Sequence, residues 1–161
     1  MKFLTFLSLF VVTLPAWALT PKLGDSATYR SIYTNEGGEV SESLWSKTIL
    51  EFNSENTKAK LSWSGEFGET QEWISISILG YILDDVKIYC AKLAEFRNAT
   101  LETIETAFGP FLTCKIEQQY EDGSYHGEWR NPEFPFGKVK EIYRFSNGST
   151  DETVLIKFYQ K

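Results

Sequence analysis

Over most of its length the chain alternates apolar and polar residues one for one. A period of two fits a β-strand with one buried face and does not fit a helix. Residues 27–33 set Tyr29 and Tyr33 against Thr28 and Arg30, and Glu36-Gly37-Gly38 then reverses the chain. The next run puts Leu44, Leu50 and Phe52 on one face and Trp45, Lys47 and Glu51 on the other, before residues 53–56 break it. Leu61 and Trp63 alternate with Lys60 and Ser62, and residues 65–68 turn the chain again. The cleanest strand places Ile74, Ile76 and Ile78 opposite Trp73, Ser75 and Ser77.

One segment changes period. Over residues 84–96, Val86, Tyr89, Cys90 and Leu93 recur at helical spacing, with Asp84 or Asp85 placed as the N-cap. Strands resume at Leu101, with a turn at Phe108-Gly109-Pro110. Leu112, Cys114 and Ile116 then face away from Thr113, Lys115 and Glu117, and Glu121-Asp122-Gly123-Ser124 forms another turn. Residues 139–145 and 153–159 flank Ser146-Asn147-Gly148-Ser149, and Asn-Gly between alternating runs is a strong hairpin signal. The expected fold is mainly β, an antiparallel sheet with one α-helix packed on it, in a single domain over residues 19–161.

The first 18 residues stand apart. Lys2 begins an apolar run over residues 3–12, and Pro15 leads into Ala16-Trp17-Ala18, a small-x-small cleavage site. The expectation is a signal peptide over residues 1–18 cut between Ala18 and Leu19, hence an exported protein, periplasmic or secreted. The run is short for a membrane span, so a retained anchor is the weaker reading. Removing Lys2 makes the chain one unit more negative than its overall charge of −6. An acidic chain disfavours nucleic acid as a partner.

Cys90 and Cys114 are the only cysteines. In an oxidising compartment two thiols pair, and a Cys90–Cys114 bridge would pin the helix onto the apolar face of the strand that carries Cys114. With one histidine, His126, in a polar turn region, no zinc set can be written and no metal is expected. His126 reads as a solvated loop residue. A hydrolase built around it is the least favoured function, since no Gly-x-Ser-x-Gly elbow accompanies it. Phosphate and dinucleotide loops are missing too, so no cofactor and no catalytic residue is assigned.

Gly109-Pro110-Phe111-Leu112-Thr113-Cys114, then Trp129, then Pro135-Phe136-Gly137-Lys138-Val139-Lys140 resembles a pattern in uncharacterised bacterial exported proteins. That pattern is a Gly-x-Phe-x-x-Cys strand, a Trp strand and a Pro-Phe-Gly-x-Val-Lys turn into a closing hairpin. It covers roughly residues 101–161. The resemblance implies a curved antiparallel sheet or half-open β-barrel, similar to the periplasmic lipoprotein carriers. Independently, Pro135 removes a ladder donor and Gly137 frees the backbone, so the chain should bend there with Phe136 turned inward.

A sheet closed by one helix invites a ligand between the two. The leading expectation is a non-enzymatic binding protein for an apolar or amphipathic ligand lined by Trp63, Ile74, Ile76 and Phe136. The alternative is an envelope-interaction or glycan-binding module using Trp45 and Trp73, which lie opposite the aliphatic faces of their strands and so read as exposed.

Overall fold

A computed structural model describes residues 20–80 and 85–161. The expected signal segment and cleavage site lie outside the described residues, as does Asp84.

The strands are β1 (Ser26–Thr34), β2 (Val40–Phe52), β3 (Lys58–Gly65), β4 (Gly68–Ser75), β5 (Asn98–Thr106), β6 (Gly109–Gln119), β7 (Tyr125–Arg130), β8 (Lys138–Arg144) and β9 (Thr150–Tyr159). They form one antiparallel sheet in the order β4-β3-β2-β1-β9-β8-β7-β6-β5. Two meanders, β1–β4 and β5–β9, are thus joined where β1 pairs with β9. The edges are β4 and β5, so the chain between them crosses the width of the sheet. It does so through a 3₁₀ turn, Ile76–Ile78, and the helix α1, Val86–Ala94.

Helix α1 forms as its period suggests. The Asp85 carboxylate caps it, accepting from the Lys87 amide at 2.8 Å. Val86 and Cys90 are buried, and Tyr89 and Leu93 pack beside them against Ala99, Leu112 and Ile116. The Cys90–Cys114 disulfide fixes this contact, with the Cα atoms 5.2 Å apart.

The main core is separate from the helix contact. It gathers Ala27, Tyr29, Ile49, Ala59, Leu61, Val139 and Leu155 from the sheet with Phe134 and Phe136 from the loop before β8. Phe136 is 3% exposed, with φ 64, and Gly137 follows at φ 68. The Pro-Phe-Gly segment therefore makes the inward bend its sequence requires, using the left-handed region at two successive residues.

Several details depart from the alternation. The strand read through Ile78 stops at Ser75, because residues 76–78 wind into the 3₁₀ turn that starts the crossing. Strand β5 begins at Asn98 rather than Leu101, and Pro110 lies inside β6, opposite Glu105. Proline is tolerated there because β7 pairs with β6 only from Cys114 onward, leaving that stretch of β6 with one neighbour. Thr113, read as facing away from the buried side, is fully buried, and its hydroxyl donates to the Glu102 carbonyl at 2.8 Å. This hairpin is apolar on both faces: Leu112, Cys114 and Ile116 meet α1, while Ile104 and Phe111 pack on the main core.

Candidate functional site: the inner face of the sheet

Residues directly opposite on paired strands point to the same face, so the register maps that face row by row. One row runs Glu128, Glu141, Thr153, Ser31, across β7, β8, β9 and β1. A neighbouring row carries Leu155, Tyr29 and Trp45. On β2 and β3, Lys47 lies opposite Trp63. This inner face, which bears the core, also carries a set of charged and polar groups.

At its centre is Lys47. Its ammonium lies 4.3 Å from the Trp63 ring centroid, 5.3 Å from that of Trp45 and 5.8 Å from that of Phe136. Among the described residues it makes no ion pair. Burial, helped by the positive charge of Lys138, pulls its pKa from the ordinary 10.5 down to about 8, against the opposing pull of Glu141. The three aromatic faces supply the electrostatic attraction that a carboxylate otherwise would.

Across the sheet, Glu141 ties two groups together. Lys138 Nζ donates to its Oε2 at 2.5 Å, and His126 Nε2 lies 3.0 Å from its Oε1. Burial pushes the Glu141 carboxyl up, but the hydrogen bonds and charges of Lys138 and His126 outweigh it and hold the group below its usual range. Arg130 donates to the carbonyls of Gly80 and Phe136, at 3.0 and 3.1 Å, tying the crossing segment to the Pro-Phe-Gly bend. Burial raises the Tyr89 phenol of α1 above its ordinary value, against the opposing positive charge of Arg130. Ser31 and Thr153 share a hydrogen bond of 2.6 Å, and Trp45 Nε1 donates to Ser31 at 3.0 Å.

Beside Lys47 a groove of about 430 Å³ opens at the end of the β3–β4 hairpin. Its walls are Trp45, Trp63, Phe67 and Thr70, and Phe67 at the turn is fully exposed. The Trp45 and Trp63 rings are nearly parallel, 6.2 Å apart, with Tyr29 stacked on Trp45 at 4.4 Å. Trp63 Nε1 is buried and has no hydrogen-bond partner among the described residues.

The residues expected to line a ligand site are only partly reunited. Trp63 walls the groove. Ile74, opposite Ala59, and Ile76 pack on the main core at the other end of β3, and Phe136 is inside that core. The expected position between sheet and helix does not hold for these four, since α1 rests on β5 and β6 and packs against a different cluster.

The reading of Trp45 and Trp73 as a pair of exposed platforms is corrected. Trp45 packs on the main core, whereas Trp73 is 45% exposed and lies opposite Lys60. Lys60 and Trp63 have opposite parity on β3, so the two tryptophans occupy opposite faces. The cause is a β-bulge between Ile49 and Glu51, where Leu50 is the extra residue. It reverses parity within β2, so Trp45, Lys47 and Ile49 face inward before it and Phe52 after it, while Leu44 and Leu50 are exposed. His126 is corrected too: it lies within β7, half-buried, with its ring stacked on Tyr143 at 4.1 Å. Among the described residues its hydrogen-bond partner is a carboxylate, not a nucleophile.

Sequence reasoning missed Lys47, Arg130, Glu141 and Tyr89. One signal was present: Trp45, Lys47 and Ile49 share a parity, which would set the lysine beside an indole on a buried face.

No protein-family model matches the sequence, and no curated protein matches it. Similar folds occur among solved structures. One is a protein of Bacteroides fragilis NCTC 9343 assigned as exported with a YmcC-like fold, at TM-score 0.51 and 10% identity, covering 89% of this chain and 99% of that one. Another is a protein of Parabacteroides distasonis ATCC 8503 assigned as a lipoprotein, at TM-score 0.49 and 13% identity, covering 86% and 96%. A third is the MucA/MucB complex of Pseudomonas aeruginosa, at TM-score 0.48 and 13% identity, covering 83% of this chain and 51% of that one. At these identities the likeness concerns the fold. No helix among the described residues is long and apolar enough to cross a membrane, and the disulfide fits an oxidising compartment.

Proposed function

We propose that this chain is an exported, non-enzymatic binding protein that holds an amphipathic ligand with an anionic head. The apolar part would lie in the groove between Trp45, Trp63 and Phe67, with the head directed at Lys47. One observation carries this reading: a groove of about 430 Å³ is walled by the same two indoles that cage an ammonium having no carboxylate partner among the described residues. The volume falls in the range of roughly 300–1,000 Å³ usual for small-molecule sites. The unpartnered Trp63 Nε1 adds a donor that a ligand carboxylate or phosphate oxygen would satisfy. A fully exposed Phe67 at the mouth adds apolar surface that a ligand would cover.

Dodecanoate, titrated against the purified protein and followed by tryptophan fluorescence and calorimetry, tests the reading. Trp63→Ala and Phe67→Ala are each expected to weaken binding about tenfold. Lys47→Met is expected to remove the preference for dodecanoate over the neutral dodecyl maltoside. Absence of binding, or binding that all three substitutions leave unchanged, refutes the proposal.

A further inference from the structure

At the opposite end of the sheet from the loop before β8, the β6–β7 turn and the end of β8 enclose a second groove, of about 490 Å³. Its apolar wall is aromatic and open: Tyr120, Tyr143 and Phe145 are 38%, 36% and 44% exposed. Tyr143 and Phe145 lie nearly parallel, with centroids 6.2 Å apart and an interplanar angle of 21°. Tyr143 is backed by the His126 ring, 4.1 Å away and within 8° of parallel, and His126 is held in turn by Glu141. Tyr143, opposite His126 in the register, is therefore held on the inner face of the sheet.

The polar rim is equally fixed. Asp122 Oδ1 accepts from the Ser124 amide at 2.9 Å and from its hydroxyl at 2.6 Å. Those bonds hold the carboxyl below its usual range, so it stays ionised, with Oδ2 left as an oriented acceptor. Gln119 Nε2 braces the same turn through the carbonyls of Gly123 and Ser124, both at 3.0 Å. Arg144, of the opposite parity to Tyr143 on β8, also lines the groove, and its guanidinium lies over the Tyr125 ring at 5.2 Å.

We propose that this groove binds a neutral saccharide, with pyranose rings against Tyr143 and Phe145 and hydroxyls hydrogen-bonded to Asp122 and Arg144. A sugar ring has one face of C–H groups, which the negative face of an aromatic ring attracts, and an edge of hydroxyls that need both acceptors and donors. A wall of open aromatics under a rim of one carboxylate and one guanidinium matches that division. An extended peptide fits less well: β7 and β8 are each paired on both sides, so no free backbone ladder borders the groove. Anionic ligands are disfavoured by Asp122 and Glu121.

Saturation-transfer NMR with cellohexaose, maltohexaose and chitotetraose, followed by calorimetry on any that bind, tests the assignment. At least one is expected to bind, with Tyr143→Ala and Asp122→Asn each weakening it at least fivefold. Phe145→Leu keeps the apolar volume but removes the ring, so it should fold normally and still lose at least fivefold in affinity. Trp63→Ala, in the other groove, should leave saccharide binding unchanged. Failure of all three saccharides to bind overturns the assignment, as does binding that Phe145→Leu leaves intact or that Trp63→Ala abolishes.

Discussion

Lys47 holds its ammonium 4.3 Å from the centre of the Trp63 ring, on the face of the sheet that also buries Tyr29 and Leu155. A cation in that position is attracted by the indole but separated from water, and the second effect sets its titration. Below pH 8 the folded and unfolded chains both carry the proton, and burying the charge opposes folding. Between pH 8 and the ordinary value of 10.5, the unfolded chain keeps a proton that the folded chain has released, so stability rises with pH. Denaturant unfolding of wild type and Lys47→Met from pH 7 to pH 10 checks this. The wild type should gain about 2 kcal/mol relative to the variant over that interval, after discounting for partial exposure. A difference that is flat with pH would contradict the burial of Lys47.

Glu141 behaves in the opposite sense. Its folded-state pKa is lowered, so its contribution is full above the unfolded value of 4.5 and fades as pH falls through the folded value. Glu141→Gln removes the charge that Lys138 and His126 share and should lower stability at pH 7 by about 1–3 kcal/mol. The same comparison at pH 3.5 should show a clearly smaller gap. An equal gap at both pH values would mean that the side chain acts through packing alone.

The disulfide ties α1 to β6 across a separation of 24 residues, and α1 packs on β5 and β6. Replacing Cys90 and Cys114 together by Ala should cost about 3 kcal/mol of global stability. Amide hydrogen exchange should then speed up most in Val86–Ala94, while strands β1, β8 and β9 keep their protection relative to global unfolding. Uniform acceleration across the sheet would show that the helix is not a separate unit.

Gly80 sits at φ +82 where the crossing segment meets the Pro-Phe-Gly bend. A Cβ there would collide with Arg130 Nη2 and stand 2.6 Å from the Phe136 carbonyl oxygen. Gly80→Ala should therefore lose about 2–4 kcal/mol, from backbone strain and from the displaced Arg130 hydrogen bonds. A thermal melt within a degree of wild type would show that this junction is loose.

What was legible in the sequence follows from local periodicity. The strand through Leu61 and Trp63, the cap read at Asp84 or Asp85, the hairpin at Asn147-Gly148 and the inward bend at Phe136 each depend on a few neighbouring residues. All appear in the structure as read. The Cys90–Cys114 pairing was legible for another reason, because two cysteines allow a single bridge.

Tertiary structure decided the rest, because the remaining features depend on partners distant in sequence. A bulge at Leu50 costs one unpaired residue in β2 and lets Trp45, Lys47 and Ile49 share the inward face with Phe52, a change of parity set by the pairing with β3. His126 lies on a strand because β6 and β8 supply ladders on either side of it. The contact of His126 with Glu141 exists through the register of β7 with β8. The sequence by itself determined a mainly β chain with one capped, disulfide-tethered helix, since those features are encoded within single elements or by a single possible pairing. Which side chains meet on the inner face was decided by strand register, and register is a property of the assembled sheet.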